Sequence, residues 1–287
     1  VTSADVFSTA PTVTSTGAPV TQNVGTASIT ASGGVANTGY TLAYSNTGTL
    51  AITRRPITVT ATDKTKVYSD ANPALTYTLI DNDGDSTLPN GDALDGSLTT
   101  SVTSTTDVGT WVGSITQGSL GATSTNYDIS FIAGSFEVTP KALSVSGLTV
   151  ADKVYDGTTT ASISAAGNLV GKVVADDVSY VQTGAAFIDK NAGVGKTVTV
   201  SGISLSGADA GNYSIASTAT TTADITAKAL TLSGFTAANK VYDGLTTATI
   251  SSAGSLVGVV AGDTVTVSNA GASFANKSAA TGKMVTL

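Results

Sequence analysis

The 287-residue chain carries 19 aspartates and a single glutamate, Glu137, against 13 lysines and arginines, for a net charge of −7. A pI near 4.4 argues against nucleic acid, because phosphate binding needs clustered Lys and Arg. Neither Cys nor His is present, which removes disulfides, thiol chemistry and the common catalytic triads and zinc sites.

In chain order, residues 1–54 contain Gly39-Tyr40 and Leu50-Ala-Ile-Thr53, which stand where later stretches have Asn126-Tyr127 and a closing strand. This segment reads as the C-terminal part of a repeat. Residues 55–140 open on Ile57-Thr-Val-Thr-Ala61, whose alternation of apolar and polar residues predicts a half-buried strand. They continue through Lys66-Val-Tyr-Ser-Asp70 and the turn pairs Asn90-Gly91 and Asp95-Gly96, and close on Phe136-Glu-Val-Thr-Pro-Lys141. Residues 141–227 repeat the plan, with Lys153-Val-Tyr-Asp-Gly157, an alternating strand at Lys196-Thr-Val-Thr-Val200, and Asn212-Tyr213. Residues 228–287 begin it again, with Lys240-Val-Tyr-Asp-Gly244.

Residues 141–200 and 228–287 align without a gap at a constant offset of 87, and 34 of the 60 positions are identical. A fixed period of this kind marks a tandem array. Abundant Thr and Val favour pleated strands, and Gly and Asp favour turns. The expected fold is all-β: a tandem array of small β-sandwich or β-grasp-like modules of about 87 residues, forming an elongated rod. The joints are short. Between Val138 and Leu143 stand only Thr-Pro-Lys-Ala, and between Ile225 and Leu230 only Thr-Ala-Lys-Ala, where a flexible linker would be longer or rich in Gly and Ser. No stretch of 18 apolar residues occurs, so no membrane-inserted helix is expected in this segment. The first residue is Val, no signal peptide is visible and the chain stops within a repeat, as expected of a piece of a longer polypeptide.

Lys153-Val-Tyr-Asp-Gly-Thr-Thr-Thr-Ala161, Leu205-Ser-Gly-Ala-Asp-Ala-Gly-Asn-Tyr213, Ala223-Asp-Ile-Thr-Ala-Lys228 and Lys240-Val-Tyr-Asp-Gly-Leu-Thr-Thr-Ala248 resemble the YDG-type repeat domains of very large bacterial surface proteins. Residues 55–140 resemble the related MBG-type module through Lys66-Val-Tyr-Ser-Asp-Ala-Asn-Pro-Ala-Leu-Thr-Tyr77, Asn90-Gly-Asp-Ala-Leu-Asp-Gly96 and Asn126-Tyr127. Ser69 departs from the Tyr-Asp-Gly pattern, and Asp81-Asn-Asp-Gly-Asp85 looks like an insertion. The resemblance implies a filamentous-haemagglutinin-like adhesin of a Gram-negative bacterium, with these modules as its stalk, and carries no catalytic residues.

Four sets of residues invite a functional reading. Tyr155, Asp156 and Gly157, with Tyr242, Asp243 and Gly244, form a repeated motif that is either a recognition turn or a structural one. In the structural reading, favoured by its repetition, Tyr packs inward, Asp holds turn amides and Gly supplies a positive φ. Asp81, Asp83 and Asp85, near Asp92 and Asp95, offer hard oxygens for Ca²⁺ or make a solvated acidic turn. Trp111 could stack on a sugar ring or pack within its strand. Asp176 and Asp177 could do acid–base work, but the second copy has Asp263-Thr264 there. An isopeptide bond at Lys153 or Lys240 has little support with one Glu in the chain. No cofactor and no enzymatic activity are expected.

The expected role is a structural stalk or fibre segment of a secreted or cell-surface bacterial adhesin, supporting adhesion or a biofilm matrix. The alternatives are a glycan- or calcium-binding module, and an extracellular filament subunit completed by strand donation. The expected partners are neighbouring modules of the same chain, extracellular polysaccharide or a host or neighbouring cell surface, and further copies in a fibre.

Overall fold

A computed structural model describes residues 7–287 apart from 18, 20, 46–47 and 270. Strands dominate, joined by turns and two single-turn 3-10 helices, Pro89–Gly91 and Ala210–Asn212. Among the described residues, no helix is long and apolar enough to cross a membrane. The chain divides into two compact units, Val1–Lys141 and Ala142–Leu287.

The first unit begins with an antiparallel sheet of Thr12–Ser15, Gly25–Ser32 and Gly48–Ile52. Its main body carries a four-stranded sheet ordered Thr99–Thr100, Gly109–Thr116, Gly134–Thr139, Lys64–Val67, and a three-stranded one ordered Tyr127–Ile132, Arg55–Ala61, Tyr77–Asp81. Every second residue of Arg55–Ala61 is buried, giving Ile57, Val59 and Ala61, while the other sheet supplies Ile115, Phe136 and Val138. The alternation that marks the strand in the sequence is thus the alternation of core and outer face.

The second unit contains one full repeat and the 60 residues that restart it. In the full repeat, a four-stranded sheet is ordered Lys153–Val154, Thr218–Thr226, Gly193–Ser201, Gly184–Phe187. Val150, Phe187, Val198, Val200, Ile203, Ala223 and Ile225 make its core. At 25 cal/mol per Å², burying one such side chain fully stabilises the module by roughly 1.5–3 kcal/mol. Residues 228–287 form a hairpin-like pair, Thr231–Ala237 with Ile250–Val257, and a sheet ordered Thr247–Ala248, Ala272–Phe274, Val285–Thr286.

Antiparallel strands alone would have satisfied the sequence pattern, yet both complete modules also pair strands in parallel. Lys153 lies opposite Ile225 and Val154 opposite Thr226; Phe136–Thr139 runs parallel to Lys64–Val67 in the first unit. Residues near the start of each module are therefore bonded through the main chain to its last strand. Side-chain bonds reinforce the closure, for Asp152 Oδ1 accepts from the Asp224 amide at 2.7 Å and Asp63 Oδ1 accepts from the Ser135 amide at 2.6 Å.

Candidate functional site

The repeated Lys-Val-Tyr-Asp-Gly segment is the most elaborate polar site in the second unit. Parallel pairing holds Lys153–Val154 against the last strand, and the chain then turns sharply. Asp156 Oδ1 accepts from the Thr158 amide at 2.9 Å and from Thr158 Oγ1 at 2.8 Å, the local capture of backbone that makes Asp a turn residue. Gly157 follows at φ +79°, a conformation that costs a residue with a Cβ but not glycine.

The centre of the site is an ammonium. Lys153 Nζ donates to Asp156 Oδ1 at 2.8 Å, to Thr158 O at 2.8 Å and to Thr160 O at 3.0 Å, and Thr158 Oγ1 lies at 3.0 Å. It also stands 5.6 Å from the centroid of the Phe187 ring, within range of a cation–π attraction. The hydrogen bond from Lys153, followed by those from Thr158, pulls the Asp156 carboxyl down to about 2.

The next repeat rebuilds the arrangement. Lys240 Nζ lies 2.8 Å from Asp243 Oδ1 and donates to Leu245 O and Thr247 O at 2.9 Å each, with the Phe274 ring at 5.7 Å. Asp243 Oδ1 accepts from the Leu245 amide at 2.9 Å, and the Lys240 contact followed by this amide lowers its carboxyl below the usual range. An ion pair enclosed by carbonyls suits shape-holding better than chemistry. Each Nζ is committed to a carboxylate and two main-chain carbonyls of its own turn, which leaves neither lysine presented for amide-bond formation.

The YDG domain matches residues 139–222 and 226–287, just over half of the chain. The chain belongs to the YDG domain family. An MBG domain of the YGX type matches residues 57–137. A comparison with curated proteins finds no match.

In the MBG module the same lysine persists with a different turn. Lys66 Nζ, in a residue only 6% exposed, donates to Thr103 O and, at 3.2 Å, to Asp70 O. Burial lowers its pKa. Ser69, where the YDG modules have Asp, takes φ +68° itself, and its Oγ accepts from Lys141 Nζ at 3.0 Å. The substitution at Ser69 thus moves the left-handed residue one position earlier than in the YDG modules.

The two YDG tyrosines differ. Tyr155 is half-buried, whereas Tyr242 is 64% exposed. The inward packing expected of this residue is not seen at Tyr242. Asp176 accepts from Tyr213 Oη at 2.5 Å and Asp177 Oδ2 from the Ala208 amide at 3.2 Å, so both carboxylates hold neighbouring segments.

The acidic loop of the MBG module is organised around Arg55. Its Nε and Nη2 donate to Asp81 Oδ2 at 3.1 and 2.7 Å, and Nη2 also reaches Asp83 Oδ2. Asp81 Oδ1 accepts from the amides of Asp83 and Asp85, both at 2.9 Å. Burial raises the pKa of Asp81, but the amides and Arg55 outweigh it and leave the carboxyl below the ordinary value. Among the described residues no group of three acidic side chains is placed to hold a metal ion. Trp111 stands on an interior strand of its sheet yet is 42% exposed, beside Val112 at 82%. Its Nε1 donates to Asp107 O at 3.1 Å, which fixes the ring plane.

Sequence reading singled out the Tyr-Asp-Gly residues but missed Lys153 with Phe187 and Lys240 with Phe274 as the partners that lock the turn. A signal was available. Both copies place Lys three residues before Asp and Phe 34 residues after that Lys.

Proposed function

We propose that this chain is a structural segment of a large secreted or cell-surface bacterial adhesin, in which successive MBG and YDG modules form a stiff stalk. The observation that carries the reading is the repetition of one polar lock, Lys153 with Asp156 and Lys240 with Asp243, at the same place in consecutive YDG modules. A scaffold element must recur in every unit, and a unique recognition site need not. The sparse charge of 11%, the short joints and the lack of His and Cys support the same role.

The test uses the native surface protein. Replacing residues 141–227 by an unrelated rigid β-module of similar length should preserve adhesion, and deleting them without replacement should reduce it. Loss of adhesion in the replacement would overturn the stalk reading in favour of specific recognition. Small-angle scattering of the 287-residue chain should give an elongated particle; a compact globule of 28.2 kDa would contradict the proposal.

A second reading rests on Trp111. A half-exposed indole held in a fixed plane offers a stacking face for a sugar ring, and Trp111→Ala should then abolish retention on extracellular polysaccharide. Unchanged retention would leave the module without a glycan role.

A further inference from the structure

Two residues of the first YDG repeat, Tyr155 of the turn and Lys190, face the next repeat. Tyr155 Oη donates to Asp263 Oδ2 at 2.7 Å, and Lys190 Nζ donates to Asp263 Oδ1 at 3.2 Å. One carboxylate of residues 228–287 is thus divided between a hydroxyl and an ammonium of residues 141–227. The Asp263 side chain is 20% exposed, so water competes only partly for these bonds. The bond from Tyr155, followed by that from Lys190, holds the Asp263 carboxyl below its ordinary range, and Asp263 in turn raises Lys190.

Gly157 makes the approach sterically possible. A Cβ added there would stand 2.8 Å from Val260 Cγ1, closer than real side chains come. The glycine of the motif therefore answers two demands at once, the left-handed turn and the valine of the neighbouring loop. A cavity of about 300 Å³ lies in this joint, lined by Tyr155, Asn191, Lys228, Leu230, Val260 and Asp263 among others.

The second turn shows the same surface uncovered. Tyr242 is 64% exposed, and a Cβ on Gly244, at φ +76°, would meet nothing within 4 Å. The same Tyr-Asp-Gly residues are covered in one repeat and open in the other. The loop Gly258-Val-Val-Ala-Gly-Asp263 sits on the first turn, which is also backed by the strand Thr218–Thr226 that the second turn lacks.

We infer that the Tyr-Asp-Gly turn is a docking surface for the following YDG module, and that the contact of Tyr155 and Lys190 with Asp263 sets the angle between the two. The Asp of the motif closes the turn within its own module, while the Tyr and Gly serve the neighbour. The partner class is a second YDG module presenting a Val-x-x-Asp loop, and Tyr242 with Gly244 offers the same surface to another such loop. This deepens the stalk reading, since a stalk needs fixed joints, but it rests only on the module array and not on a cell-surface location.

The chain has no cysteine, so Ser201→Cys and Thr249→Cys, both at exposed positions, place one spin label in each repeat. Pulsed dipolar spectroscopy of the labelled chain should give a single narrow distance distribution. In Tyr155→Phe/Asp263→Ala the distribution should broaden and its mean should shift, with the circular dichroism unchanged. A distribution as narrow as the parent's, at the same mean, would overturn the inference. The glycines give an independent arm. Gly157→Ala and Gly244→Ala impose the same backbone strain, but only the first meets Val260; the distribution should move for Gly157→Ala and stay for Gly244→Ala. An equal response of the two variants would reduce the effect to turn strain and refute docking. Neither arm depends on adhesion, so failure here and failure of the stalk reading are separately visible.

Discussion

The two YDG copies share 34 of 60 aligned residues, and their differences in burial therefore isolate the effect of surroundings. In the first copy, Val198 and Phe187 are 0% and 3% exposed; their counterparts Val285 and Phe274 are only partly buried. The strand Thr218–Thr226 accounts for this. It pairs with Gly193–Ser201 along almost its whole length and with Lys153–Val154 at its end, and residues 228–287 contain no counterpart of it. Near its place lies a groove of about 780 Å³ bordered by Lys240, Tyr242, Phe274 and Lys283. The lysine lock forms in both copies regardless. Local sequence is enough to build the turn, whereas the core needs a strand from the far end of the module.

The strongest way to break this comparison is in the core. Phe187→Ala should cost about 3–5 kcal/mol, because the buried cavity it leaves has no water to fill it. Phe274→Ala should cost less than half as much, since Phe274 already borders solvent. Residue-resolved hydrogen exchange on the full chain reads the two repeats separately, and equal losses would show that the second copy is as well closed as the first.

The lysine lock should give a smaller effect that is similar in both repeats. Lys153→Ala leaves Asp156 without its cation and the carbonyls of Thr158 and Thr160 without the ammonium donor, at about 1–3 kcal/mol. Lys240→Ala should destabilise residues 228–287 by a comparable amount. Urea unfolding followed at resolved amides checks both, and a much larger loss for either would show that the lock supports more than its own turn.

Acid titration sharpens the same point. A carboxyl whose folded pKa is depressed contributes stability that is complete above its unfolded value, about 3.9, and lost as pH falls towards the folded one. Asp156 at about 2 should thus support the first YDG module down to roughly pH 4 and lose that contribution between pH 4 and 2. Thermal unfolding of Asp156→Asn from pH 5 to pH 2 should show a shallower decline than the parent. A parallel decline would remove Asp156 from the acid response.

The smallest expected effect separates the two tyrosines. Tyr155→Phe removes the bond to Asp263 and should cost about 1 kcal/mol, whereas Tyr242→Phe at an exposed position should be within about 0.5 kcal/mol of neutral. Melting temperatures of the two variants, measured side by side at one pH, decide it; equal shifts would mean that the docked hydroxyl contributes nothing net.

Much of the architecture was legible. Ile57-Thr-Val-Thr-Ala61 falls within the strand Arg55–Ala61, and Lys196-Thr-Val-Thr-Val200 within Gly193–Ser201. The YDG and MBG resemblance was legible too, because those motifs are long and recur at a fixed offset. The site was legible only in part. Asp156 and Gly157 announce a turn by residue type, and the repeated spacing of Lys and Phe is a hint, but only the fold shows that the lysine fills the turn and that Phe187 lies over the ammonium. Likewise Asp81-Asn-Asp-Gly-Asp85 reads as a free acidic run until Arg55, 26 residues earlier, is seen to hold it.

The sequence by itself determined the period, the all-β composition, the strand faces and the turn chemistry, since each follows from side-chain size, branching and polarity over a few neighbouring residues. Tertiary structure alone decided the parallel pairing of Lys153–Val154 with Ile225 and Thr226, and the seating of the Val260–Asp263 loop on Tyr155 and Gly157. Main-chain pairing uses groups that every residue carries, so its partner is chosen by where the rest of the chain has packed. A glycine likewise records that space is needed, while only the folded molecule shows what occupies it.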